Sequence, residues 1–187
     1  CRSWRSGGCF AAGQPLMMIW LLLFISYLIG SVSGSLLLGK WHGVDIRNFG
    51  SGNAGGTNAL RTQGIKFAFG VVIIDVGKGL LAAYLAQHLF GVAHDAIYLA
   101  VFFAVVGHIW PVFHGFRGGK GAATLAGGLI LAWPQALLVL IMIWLLCLMI
   151  SGYVGLSTVI AAISLNLSAY LFHADWTRWQ FAIACSI

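Results

Sequence analysis

The chain is 187 residues long, 60% hydrophobic and only 7% charged, with a mean hydropathy of +0.95. Soluble domains carry about 25% charged residues, so this composition excludes a water-soluble globular domain and predicts an all-α polytopic membrane protein. The net charge of +6 does not indicate a nucleic-acid partner, because the basic residues are spread thinly among apolar runs. With no glutamate and only Asp45, Asp75, Asp95 and Asp175 as acids, a carboxylate cage for a divalent cation is not expected.

In chain order, residues 1–15 form a polar leader with Arg2 and Arg5, and residues 16–187 read as a single transmembrane domain. The apolar stretch 16–38 is too long for an ordinary signal-peptide core and is expected to be a retained first span. Further spans are predicted at 67–90, 96–109, 124–133, 135–150, 156–172 and from Trp179 onward. The third is closed by Pro111, and the glycines of the fourth make it a half-span or a tilted helix. Six or seven spans fit, with about seven favoured and the last incomplete. The chain opens on cysteine and stops inside an apolar run, so it reads as a fragment. Cys1 and Cys9 lie in the leader, Cys147 and Cys185 in apolar segments, and no spacing suggests a metal, a cofactor or a disulfide.

If the first helix runs inward, Lys40, Arg47, Arg61, Lys66, Arg117 and Lys120 fall on the cytoplasmic side, while Arg2, Arg5 and Arg178 fall outside. The same topology puts three glycine-bearing turns, around Ser51, around Gly118 and at 151–157, on one face. Small residues such as Gly30, Ser33, Gly34, Gly70 and Gly127 are expected to mark close helix contacts.

Chemistry-bearing residues concentrate in those turns. Ser51, Gly52, Asn53, Gly55, Thr57 and Asn58 precede Arg61, which follows Thr57 by one helical turn. A loop entering a helix at Thr57 would aim free N–H groups at an anion while Arg61 clamps it; in the plainer alternative the polar side chains only cap helix ends. The second turn ends Gly118-Gly119-Lys120-Gly121. It is not a Walker P-loop, which needs glycine at His114, serine or threonine at Gly121 and a preceding strand. Lys120 nevertheless suits a phosphate. His108 is either a proton carrier or a partner for a carbonyl freed at Pro111. The remaining histidines, His42, His88, His94, His114 and His173, are expected at interfaces.

Asp75 and Lys78 share one face of the second span and should pair, either as a structural lock or in support of the site. No serine–histidine–acid spacing and no HxxxxD signature occurs, so a reaction here would use a substrate that is already activated. A transporter of a small phosphorylated solute is the rival reading, since such proteins also use intramembrane charges and broken helices.

The stretch from Ser51 to Asn58 with Arg61, the block from Gly107-His108 to Gly121, Asp75-Val76-Gly77-Lys78-Gly79 and Gly152-Tyr153 together resemble the bacterial acyl-phosphate:glycerol-3-phosphate acyltransferases, the PlsY family. The resemblance covers about residues 20 to 172. It implies an enzyme of phospholipid synthesis in the bacterial inner membrane, with seven spans and a cytoplasm-facing site. The reaction implied moves a fatty acyl group from acyl phosphate to the 1-hydroxyl of glycerol 3-phosphate, giving lysophosphatidate and inorganic phosphate. Membrane lipid surrounds the enzyme, and the enzyme that makes the acyl phosphate is a further implied partner. By motif, Ser51 and Arg61 belong to the first phosphate-binding segment, Lys120 to the second and Ser157 or its neighbours to the third. Two departures stand out: the family usually has serine at the position of Gly155, and its C-terminal histidine–asparagine segment is missing.

Overall fold

The computed structural model describes residues 16–88 and 95–186, so the leader and residues 89–94 lie outside it. Among the described residues the regular structure is all helical, without strands: α1 (Leu16–Gly30), α2 (Gly34–His42), α3 (Gly56–Gln63), α4 (Ile65–His88), α5 (Ala96–Ile109), α6 (Ala122–Ala132), α7 (Pro134–Ser151), α8 (Val154–Leu171) and α9 (Trp176–Ser186). Short 3₁₀ turns at Ile46–Asn48 and Val112–His114 punctuate the two long loops.

Four segments are long and apolar enough to cross a bilayer, and the bent pair α1–α2 makes a fifth. Their outer faces carry large exposed apolar side chains such as Phe24, Phe69, Leu138 and Met149, the pattern expected where lipid replaces water. The fourth expected span is short: α6 has 11 residues, about 16 Å of helix, and sits inside the bundle.

The first expected span differs from the continuous helix predicted over 16–38. It breaks at Ser31–Ser33 and bends by 42°. Within the bilayer the freed backbone groups need partners, and α4 provides them. Gly34 N–H donates to Asp75 Oδ1 at 3.2 Å, and Lys78 Nζ donates to the Val32 carbonyl at 2.9 Å. A carboxylate thus sits at the N-terminus of α2 and an ammonium beside the end of α1, each complementing the local dipole.

Close approach is set by glycine. A Cβ built on Gly79 would fall on the backbone of Thr124 in α6, and one on Gly127 would fall on that of Val76 in α4. Gly30 against Ala104 and Gly107 against Tyr27 lock α1 to α5 in the same reciprocal way. The core lies around α5, where Val101, Leu125, Leu129, Trp133 and Leu165 are buried together.

Candidate active site

Three helices begin at one pocket of about 1010 Å³. Gly55 and Gly56 open α3, Gly121 and Ala122 open α6, and Tyr153 and Val154 open α8, and all of these residues line it. None of the three N-caps (Gly55, Gly121, Tyr153) has a side-chain capping bond. The first-turn N–H groups, left without intrahelical partners, therefore make this end of the pocket electropositive. Arg61 and Lys120 line the same end, and neither has a carboxylate partner among the described residues. A Cβ at Gly155 would stand 2.9 Å from Lys120 Nζ, so the lysine reaches across to the start of α8. The three turns expected on one face do converge.

Much of the remaining lining is apolar: Leu60 of α3, Phe69 and Val72 of α4, and Leu140, Ile141 and Trp144 of α7. The pocket thus combines a cationic, N–H-rich end with a hydrophobic slot, suited to a ligand that is a phosphate at one end and a hydrocarbon at the other.

Several residues expected to meet phosphate are engaged elsewhere. Asn58 is 2% exposed; its Oδ1 accepts from Ser51 N, and its Nδ2 donates to the carbonyls of Ile46 and Phe49. It shapes the loop that presents Ser51. Gly52 N–H donates to Phe49 O, and Gly52 turns the chain at φ +71°. Gly118 and Gly119 give their N–H groups to the carbonyls of Ile109 and His108, folding the second loop back on the end of α5. Both are glycine because of packing: a Cβ at Gly118 would strike the His108 carbonyl, and one at Gly119 the His108 ring. Ser157 is buried and donates to Tyr153 O, so Tyr153, Gly155 and Thr158 represent the third turn in the pocket. Ser51, Asn53, Gly55, Thr57, Asn58 and Gly121 remain on its wall, Asn58 with its side-chain amide already engaged.

Asp75 and His108 line the pocket floor. Lys78 Nζ lies 3.0 Å from Asp75 Oδ1 and 2.6 Å from His108 Nδ1, with all three side chains buried. His108 thus meets the ion pair, not a carbonyl freed at Pro111; the Trp110 carbonyl accepts from the Tyr27 hydroxyl.

Arg47 was legible in the sequence only as an inward-side cation. Its guanidinium holds both oxygens of Asp45 and donates through Nη1 to His114 O and Arg117 O, tying the first loop to the second. The hydrogen bond from Arg47 holds the Asp45 carboxyl below the usual carboxylate range. An acid two residues from an arginine in a polar loop is the available sequence signal. No cluster of three or more metal-binding side chains occurs among the described residues.

A family model described as glycerol-3-phosphate acyltransferase matches residues 20–187. A glycerol-3-phosphate acyltransferase of Chlorobium luteolum is 42% identical over 163 residues, spanning 81% of this chain and 69% of that protein. Glycerol-3-phosphate acyltransferase 2 of Moorella thermoacetica is 41% identical over 170 residues, spanning 90% of this chain and 87% of its own. The crystal structure of PlsY (YgiH), an integral membrane glycerol 3-phosphate acyltransferase, in its glycerol 3-phosphate form superposes with a TM-score of 0.83 at 34% identity. That match covers 90% of this chain and 84% of the other. Its lysophosphatidic acid form gives a TM-score of 0.81 at 33% identity.

Proposed function

Since this chain belongs to the glycerol-3-phosphate acyltransferase family, we propose that the pocket joins a fatty acyl group from acyl phosphate to the 1-hydroxyl of glycerol 3-phosphate. The protein is an integral membrane acyltransferase of phospholipid synthesis, and glycerol 3-phosphate is its acceptor. The acyl-phosphate donor, the bacterial inner membrane as location, the cytoplasmic orientation of the site and the donor-making enzyme as partner belong to the proposal.

One observation carries it: Arg61 and Lys120, without carboxylate partners among the described residues, and three helix N-termini without side-chain capping bonds share one pocket with an apolar slot. Two phosphates are neutralised at the polar end, and the acyl chain lies along the slot. Holding the acceptor hydroxyl against the acyl carbon supplies much of the acceleration, because the donor already carries a good leaving group. The hydroxyl oxygen forms the ester bond, and the carbon–oxygen bond to the donor phosphate breaks with its electron pair going to phosphate. The hydroxyl proton ends on a substrate phosphate oxygen, and Arg61 and Lys120 stabilise the charge that departs. Ser51, Asn53 and Thr57 orient the acceptor. The transporter reading loses its main support because Asp75 and Lys78 are occupied in closing the break between α1 and α2.

Donor choice is tested by supplying acyl phosphate or acyl-CoA with glycerol 3-phosphate to the purified protein. Release of inorganic phosphate in step with lysophosphatidate supports the proposal; product from acyl-CoA alone contradicts it.

A further inference from the structure

The environment of His108 fixes which of its nitrogens carries the proton. A lysine ammonium has three donors and no acceptor. Around Lys78 Nζ stand two oxygen acceptors, Val32 O at 2.9 Å and Asp75 Oδ1 at 3.0 Å, and the ring nitrogen His108 Nδ1 at 2.6 Å. Asp75 Oδ1 is also 3.5 Å from Nδ1, but that contact is long and the same oxygen already accepts from Lys78 Nζ and Gly34 N–H, whereas the ammonium stands at 2.6 Å, where a proton on Nδ1 would place two donors face to face. Nδ1 is therefore the acceptor, and the imidazole proton resides on Nε2.

Nε2 lies on the other edge of the ring, against Gly119; no hydrogen bond to it occurs among the described residues, and it keeps accessible surface, unlike the sealed hydroxyls of Ser26 and Thr124. His108 also lines the pocket into which Lys120 reaches, one residue beyond Gly119. Gly119 must be glycine for the ring to lie there, and the Gly119 N–H bond to the His108 carbonyl holds loop and ring in register. The charged groups around the ring are Asp75 and Lys78 from α4, with Arg61 and Lys120 on the pocket wall; α1, packed along α5, carries no charged side chain.

We propose that His108 enters the reaction as a hydrogen-bond donor, its Nε2–H directed at a substrate oxygen beside Lys120, and that Lys78 and Asp75 are positioning residues that hold it in this tautomer. It does not take the acceptor's proton: its one basic nitrogen faces Lys78, away from the substrate. The charge pair thereby serves two ends of one network, closing the break between α1 and α2 and orienting a donor for the chemistry. This rests on the acyltransferase reading for the identity of the substrate oxygen, and not for the tautomer.

Two measurements test it together. Nitrogen NMR of histidine-labelled protein in detergent at neutral pH, with His108→Gln identifying the resonance, should show one imidazole protonated at Nε2 and bare at Nδ1. Kinetically, glutamine offers an oxygen to Lys78 and an N–H to the pocket, so His108→Gln should stay within about tenfold of the parent in kcat. His108→Leu should lose about 10²–10³ with little change in KM for glycerol 3-phosphate. A proton on Nδ1, or equal losses in the glutamine and leucine variants, would overturn the proposal. Absence of product from the parent chain would count against the acyltransferase reading, while the tautomer would still be read without turnover.

Discussion

Arg47 donates to the carbonyl of His114 at 2.9 Å across a sequence separation of 67, so one guanidinium braces the two loops that build the pocket. The same group holds Asp45 through a fork of Nε and Nη2. A lysine carries a charge but not this fork. Arg47→Lys should therefore fold yet lower kcat/KM by about 10- to 100-fold, because small misplacements of reacting groups are costly. Steady-state kinetics beside a thermal unfolding curve checks this; an unchanged kcat/KM would show that the loops need no brace.

The Asp45 carboxyl has its pKa depressed by the Arg47 hydrogen bond. A depressed acid contributes stability above its unfolded pKa, about 3.9, and that contribution disappears as pH falls through the folded value. The parent should be more stable than Asp45→Asn at neutral pH, with the gap closing in acid below the usual carboxylate value. Unfolding temperatures of both proteins across pH decide it. A gap that persists unchanged into acid would mean that the pair contributes nothing through ionisation.

Asp75→Ala leaves the Lys78 ammonium buried without its carboxylate and removes the acceptor for Gly34 N–H. Breaking a buried pair in this way costs about 3–5 kcal/mol. Changing both partners, Asp75→Asn with Lys78→Met, should recover part of that stability but not the activity, because the double variant no longer orients His108. Thermal unfolding and turnover measured on the same preparations separate the two effects.

Much of the site was legible before the structure because hydrogen-bonding residues are rare in so apolar a chain. Ser51, Arg61 and Lys120 stood out, and Asp75 and Lys78 had to find partners because isolated charges are costly in a bilayer. What could not be read was the use of each polar group. Asn58 resembles a ligand in the sequence, yet its amide is consumed by Ile46, Phe49 and Ser51. Gly118 and Gly119 resemble a phosphate cradle, yet their N–H groups close on α5. The break at Ser31–Ser33 was hidden for a related reason: hydropathy averaged over a span does not reveal that a carboxylate and an ammonium from another helix stand ready at that depth. Short-range pattern identifies the groups available, and tertiary packing decides their partners.

Glycine substitutions separate packing from flexibility. Gly119→Ala should abolish most activity, because its Cβ would strike the His108 ring and stand 2.9 Å from the Ala54 carbonyl; over-packing of this kind costs about 1–3 kcal/mol. Gly77 lies in α4, two residues beyond Asp75, and has nothing within 4 Å of a Cβ built on it. Gly77→Ala should keep full activity and gain up to about 1 kcal/mol in helix propensity. Equal behaviour of the two variants in activity and unfolding assays would contradict the packing account.

The most direct test is lysophosphatidate formation from acyl phosphate and glycerol 3-phosphate by the purified protein in detergent, with Lys120→Met measured in parallel. The account predicts product from the parent and a loss of at least about 10²–10³ in kcat/KM for the variant, with its unfolding temperature preserved because Lys120 makes no ion pair within the described fold. Product at near-parental rates from folded Lys120→Met would remove the lysine from the site and contradict the account.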